Sequence, residues 1–152
     1  MIRWATLADR AALEELQRRA SMSNPGDRDA LLLNPGAIDV PLEQITARQV
    51  LIAEQEGSMV GFAAAVPRPD GDADLDALFV EPTLWRRGIG RLLLEHSVAL
   101  ARDAGATVLH VVANPHAREF YLRCGFALTG SARTRFGDAL SMERPIGGSD
   151  AG

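Results

Sequence analysis

A chain of 152 residues is near the commonest length of one domain, and 47% hydrophobic with 24% charged residues is the composition of a chain that folds around a core, which excludes a disordered one. A net charge of -4, from 16 basic against 20 acidic residues, excludes an overall basic field for nucleic acid or an anionic membrane. Cys124 is the one cysteine, which excludes an internal disulfide, and no run approaches the ~18 apolar residues of a membrane span.

The opening MIRWATLADRAALEEL has no apolar signal core, and with a lone thiol it implies a reducing, cytoplasmic setting. Ile2 to Ala5 is apolar enough for an edge strand. Thr6 stands three residues before Asp9 in a capping-box arrangement ahead of Leu13 and Leu16, so a first helix is expected over Leu7 to Ala20. Ser21 to Pro41 carries Pro-Gly breaks around the short apolar piece Ala30 to Leu33, which reads as a helical turn between loops. A compact domain seldom carries about 20 irregular residues without using them, so this segment is expected to shape a substrate site.

Pro41 to Arg48 suits another brief helix, and Val50 to Gln55 alternates as a strand. A turn at Glu56-Gly57-Ser58 leads to a strand over Met59 to Val66, where Gly61, Ala63, Ala64 and Ala65 let another layer approach closely. The break from Pro67 to Asp72 makes a hairpin to the strand Asp74 to Val80. Strict alternation there puts Asp74, Asp76, Leu78 and Val80 on one face and Leu75, Ala77 and Phe79 on the other. Pro82 has no amide hydrogen and ends the ladder.

From Ile89 the apolar spacing changes to Ile89, Leu92, Leu93 and Leu100, one stripe of a helix that runs to about Asp103 and stops at Gly105. Thr107 to Val112 is rich in β-branched residues, and its connection through that helix makes it parallel to Asp74 to Val80. Asn114-Pro115 ends it, and His116 to Cys124 is a short helix closed by Gly125. Phe126 to Arg135 and Ala139 to Pro145 read as an antiparallel pair around Phe136-Gly137-Asp138. Residues 1–146 are expected to form one domain, with 147–152 a frayed, disordered tail.

The strand-turn-helix from Asp74 to Leu94 carries the chemistry. A helix opening has backbone amides without partners and the positive end of the helix dipole, so Arg87, Gly88, Ile89, Gly90 and Arg91 offer several donors to one anion, and Arg86, Arg87 and Arg91 add charge. Phosphate is the natural guest. A Walker loop is excluded because the chain contains no lysine, and a dinucleotide fingerprint because Leu93 stands where a third small residue belongs.

The stretch LFVEPTLWRRGIGRLLL resembles the acyl-coenzyme A signature of the GNAT superfamily of N-acetyltransferases. Gly88 and Gly90 match; Trp85 stands where that family often has Gln or Arg, which leaves the backbone cradle intact. NPHAREFYLRCGF, Asn114 to Phe126, resembles the second signature of the same family. The resemblance implies an α+β fold in three layers, α/β/α, with a mixed, mostly antiparallel sheet of about seven strands and a splayed parallel central pair. It implies acetyl-coenzyme A as co-substrate, contacted by Leu78, Phe79 and Val80, by Arg86 to Arg91 including Ile89, and by Asn114 and Tyr121, and it allows a homodimer.

Pantetheine is built of amides, which unpaired main-chain groups of two parting strands can bond as an added strand would. By resemblance Tyr121 is the general acid beside the coenzyme sulfur; as an aromatic near Phe120 and Phe126 it equally suits packing. Asp76 is the candidate base from its place near Leu78 and Val80, with Asp74, Glu54 and Glu81 as alternatives. None of His96, His110 and His116 has the spacing of a metal site, so no metal is expected; Cys124 reads as a small packed hydrophobe. The expected partner is a small-molecule amine, with no nucleic acid and no membrane. Acetylation of a protein or peptide amine and a non-catalytic coenzyme A-binding module are the alternatives.

Overall fold

A computed structural model describes residues 1–34, 36, 38–134 and 137–147. In chain order these form β1 (Ile2–Trp4), α1 (Arg10–Met22), α2 (Pro25–Leu33), α3 (Leu42–Thr46), β2 (Val50–Gln55), β3 (Ser58–Pro67), β4 (Ala73–Val80), α4 (Ile89–Asp103), β5 (Val108–Ala113), α5 (Arg118–Arg123), β6 (Ala127–Thr134) and β7 (Gly137–Pro145). The seven strands make one sheet in the order β1-β2-β3-β4-β5-β7-β6, antiparallel throughout except for the central β4–β5 pair. The expected fold class therefore holds: a mixed, mostly antiparallel sheet between two helical layers.

Each layer follows from an apolar stripe. Leu93, Leu94, Val98 and Ala101 of α4 pack on Leu75, Leu109, Val111 and Met142 of the sheet, and α5 adds Tyr121 to this cluster. On the other face Leu13 and Leu16 of α1 and Ile45 of α3 meet Val50, Ile52 and Phe62. Phe62 and Phe79 stack across β3 and β4 with ring centroids 5.5 Å apart. No helix among the described residues is long and apolar enough to cross a membrane.

Four local expectations change. The first helix opens with a 3-10 turn, Leu7–Asp9, in which the Asp9 carboxylate accepts from the Thr6 amide at 2.8 Å and from Arg3. The Ser21 to Pro41 segment holds a nine-residue helix, not a single turn: Pro25 read as a break but stands at the first helical position, where a missing amide hydrogen costs nothing. Thr107 precedes β5 instead of starting it, its amide and hydroxyl both given to Asp72 Oδ1 at 3.2 and 3.1 Å. The reading of residues 135–136 and 148–152, including most of the frayed tail, lies outside the described residues.

The fourth change bears on the site. Between β3 and β4 the register steps from Ala64↔Ala77 to Ala65↔Leu75, so Asp76 has no residue opposite it. This bulge breaks the strict alternation expected from the sequence: Ala73 and Leu75 join Leu78 and Val80 on the α4 face, while Ala77 and Phe79 pack on the α1 side. Asp76 is exposed and accepts from Gln44 Nε2 of α3 at 2.9 Å, so it does not share the Leu78 and Val80 face.

The small residues of β3 allow close approach of α4, as expected. A Cβ on Gly61 would lie 2.9 Å from the Phe79 carbonyl oxygen and 3.0 Å from Leu93 Cδ1. Gly61→Ala is therefore expected to destabilise the fold by about 1–3 kcal/mol through overpacking, read as a lower urea midpoint at constant slope.

Candidate active site

The β4–β5 ladder has only two pairs, Ala73↔Leu109 and Asp74↔His110. Beyond them β4 continues with β3 as far as Val80, and β5 continues with β7 as far as Ala113. The facing edges of residues 75–80 and 111–113 thus part without a ladder partner in each other, leaving a V-shaped opening whose main-chain groups can take a ligand. Arg68, paired with Asp74 at 3.0 Å, and Asp72, which accepts from the Val108 amide at 3.1 Å, hold the closed end of the V.

The open end of β4 leads straight into the expected anion cradle. After a 3-10 turn at Pro82–Leu84, Arg86 and Gly88 both take left-handed backbone geometry, with φ of 67° and 85°. Gly88 caps α4, whose first i to i−4 bond runs from the Leu92 amide to the Gly88 carbonyl at 3.0 Å. The amides of Ile89, Gly90 and Arg91 come before that bond.

A Cβ on Gly88 would meet nothing within 4 Å, so the space in front of the cap is open, whereas one on Gly90 would meet Phe120 Cζ at 3.4 Å. That is ordinary van der Waals contact with α5, so a small side chain would fit at position 90, whereas Gly88 is glycine for its φ. Ile89 is buried and anchors the helix start, while Arg86, Arg87 and Arg91 are exposed. Among the described residues Arg86 and Arg87 have no salt bridge; Arg91 acts on Glu95, which is paired with Arg144 at 2.8 Å. Trp85, the departure from the expected signature, donates its indole N–H to the Val80 carbonyl at 2.8 Å and so ties the turn back to β4.

On the opposite lip, Asn114 ends β5. Its Oδ1 accepts from the His116 amide at 2.8 Å, which caps the turn before α5, and its Nδ2 donates to Asp27 Oδ1 of α2 at 2.6 Å. Tyr121 lies in α5 between Phe120 and Phe126, edge-on to both at centroid distances of 5.1 and 5.2 Å. Burial, with Cys124 beside it, holds its hydroxyl well above the ordinary phenol range, so it keeps its proton. The hydroxyl has no hydrogen-bond partner among the described residues. Cys124 is buried and its thiol pushed up by that burial, in keeping with a packed hydrophobe.

The carboxylates divide by partner. Asp74 is paired with Arg68 at 3.0 Å, Glu54 with Arg3 at 2.9 Å and Glu81 with Arg19 at 3.1 Å. Among the described residues Asp76 has an amide partner only, Gln44. Asp27, absent from the sequence reading, is likewise held by amides, Asn114 at 2.6 Å and Asn24 at 3.4 Å. Partial burial raises its carboxyl above the ordinary range, against the pull of those two donors and of nearby His116. Nothing in the spacing of Asp27 and Asn114, which are 87 positions apart, signals that they meet.

Histidine spacing also missed that Asp70, Asp72 and His110 bring ligand-type atoms within 4.8 Å of one another. Asp72 lies 3.3 Å from His110 Nε2 and also accepts from Thr107 and Val108, and Asp70 pairs with Arg68. An open cavity of about 380 Å³ adjoins the Asn114 lip, between Pro115 and the β6–β7 strands at Ser131 and Leu140.

The family model of the acetyltransferase (GNAT) family matches residues 11–126, which include the V, the cradle and both glycine-bearing motifs. The chain belongs to that family. A stretch of 93 residues is 30% identical to an uncharacterized N-acetyltransferase of Mycobacterium tuberculosis, covering 59% of this chain and 60% of that relative. The match thus spans about 60% of the length of that curated relative. Over 72 residues it is 41% identical to the peptidyl-lysine N-acetyltransferase YjaB of Salmonella typhimurium, covering 47% of this chain and 46% of that one. The PaiA N-acetyltransferase of Thermoplasma acidophilum, solved in complex with coenzyme A, superposes with a TM-score of 0.79 at 18% identity over 95% of this chain and 98% of that one, a likeness of fold. Within the GNAT fold, the positions singled out from the sequence fall on two neighbouring strand ends and the helices that follow them.

Proposed function

We propose that this GNAT chain transfers acetyl from acetyl-coenzyme A to the primary amine of a small molecule by direct attack of the amine on the thioester. The observation that carries the reading is the β4–β5 ladder ending after Asp74↔His110, directly ahead of the open cap at Gly88. Pantetheine would bond the main chain of Leu78 and Val80 and pass along Phe79, and the pyrophosphate would meet the amides from Gly88 to Arg91 with Arg86 and Arg87. Asn114 keeps one amide hydrogen beyond its bond to Asp27 for the same ligand.

In the reaction the amine loses a proton to Asp76, directly or through a water, and its nitrogen attacks the thioester carbon. The carbon–sulfur bond then breaks, and Tyr121 protonates the departing thiolate. The second proton on nitrogen restores the tyrosine, and the first leaves from Asp76 to solvent. Asp76 suits the base because no arginine among the described residues pairs with it, unlike Asp74, Glu54 and Glu81.

A small acceptor is supported by α2, which fills the segment after α1 and bonds Asn114 at the cleft lip. The identity to a peptidyl-lysine N-acetyltransferase favours a second reading, in which the acceptor is a lysine side chain. A panel of small amines and lysine peptides, followed by free-thiol release, separates the two. Calorimetric binding of coenzyme A without thiol release on any acceptor would leave a non-catalytic binding module and overturn the proposal. Asp76→Asn is expected to lower kcat/KM for the amine at least ~10-fold and to remove the acid limb of its pH profile; an unchanged profile takes Asp76 out of the mechanism.

A further inference from the structure

Asp27 is in an unusual position for a carboxylate of this chain. It lies in the first turn of α2, partly buried, and its oxygens are held by the neutral amides of Asn114 and Asn24. Around the V, Asp74, Glu54, Glu81 and Glu95 each pair with an arginine. A charge drawn partly out of water with no ion-pair partner is costly, and that cost falls when a cation arrives. His116 acts on Asp27 electrostatically but makes no salt bridge with it among the described residues.

The location gives that missing cation a meaning. Asp27 is 2.6 Å from Asn114, the residue at the end of β5, so its charge sits at the lip of the V that β4 and β5 open. Resting on the acetyl-transfer reading, we infer that Asp27 is the specificity-determining carboxylate that receives the acceptor's cationic head, so that the acceptor is an alkylammonium and not an uncharged aryl amine. Asn114 orients the carboxylate from one side, and the ammonium supplies charge-assisted hydrogen bonds from the other. A free diamine and a lysine side chain present the same group. α2 packs against α1, whose Leu13 and Leu16 cover the side of the sheet where Ile45 of α3 packs and to which Asp76 turns through Gln44.

Asp27→Asn removes the charge while its amide oxygen can still accept from Asn114, so the lip stays closed. The experiment measures kcat/KM of wild type and variant for a short alkyl diamine, a lysine peptide and an aniline-type amine, with the coenzyme A dissociation constant from calorimetry. The expected result is a fall of at least ~10-fold in the ratio of alkylammonium to aryl amine kcat/KM, carried by KM for the alkyl amine, with coenzyme A affinity within about 2-fold. Whether diamine or peptide shows the larger loss tells which source the site serves. An unchanged alkyl-amine KM, or loss of coenzyme A binding in parallel, overturns the inference while leaving acetyl transfer intact. A wild type that binds coenzyme A but acetylates no amine overturns the functional reading, and this inference with it.

Discussion

Tyr121→Phe is expected to lower kcat by roughly 100-fold, the lower end of what a positioned general acid contributes, with the coenzyme A dissociation constant within about 2-fold of wild type. The expectation rests on the way the ring is held. Phe120 and Phe126 meet the tyrosine edge-on, and a phenylalanine keeps both contacts, so the variant should fold with nearly unchanged stability. The hydroxyl has no partner among the described residues to lose, so its removal strands no buried group. What it takes away is a proton held in place by burial, with the phenol raised above its ordinary range. A fall of 100-fold corresponds to about 2.7 kcal/mol of barrier, a size that lost packing at an isosteric site does not reach. Thiol release by stopped flow would read it, and undiminished turnover would reduce Tyr121 to a core aromatic.

The second large effect is on coenzyme binding. Arg86→Gly combined with Arg87→Ala is expected to weaken coenzyme A binding by about 10- to 100-fold, since each lost charge-assisted bond to phosphate is worth ~1.5–3 kcal/mol before solvent screening reduces it. Both side chains are exposed and without salt bridges among the described residues, so the loss cannot come from a broken ion pair of the fold. Glycine is chosen at position 86 because Arg86 has φ of 67°. Holding a side chain in that left-handed region costs ~1–2 kcal/mol, so the substitution should leave the unliganded protein no less stable, and by thermal denaturation slightly more so. The gap between wild type and variant should narrow as salt rises, because the Debye length falls from about 10 Å at 0.1 M to 3 Å at 1 M. Equal affinity at low salt would move the diphosphate away from the α4 cap.

The two predictions draw on parts of the chain that could be read in different degrees. The strand before Pro82, the helix from Ile89 and the glycine at position 88 follow from local chemistry: a period of two, a period of 3.6, and a proline without an amide hydrogen between them. The Asn114 to Phe126 motif is equally local: the asparagine caps the turn at Pro115–Ala117, and α5 follows directly from it. Even Trp85, which departs from the family pattern, has a local role in bonding the carbonyl of Val80.

The limits of that local reading lie at Asp76, α2 and Asp27. Alternation placed Asp76 beside Leu78 and Val80, but a bulge exists only relative to the partner strand, and the step from Ala64↔Ala77 to Ala65↔Leu75 turned the carboxylate toward Gln44. Pro25 is the same residue whether it breaks a helix or begins one; the chain on both sides, packed between α1 and β7, decided for the helix. The sequence by itself determined the order of the strands, the glycine-bearing turn ahead of α4 and the family resemblance, because hydrogen bonding and side-chain periodicity act over a few residues. Only the tertiary structure decided which carboxylates pair with an arginine and which meets Asn114, because pairings across tens of residues are chosen by how whole layers pack.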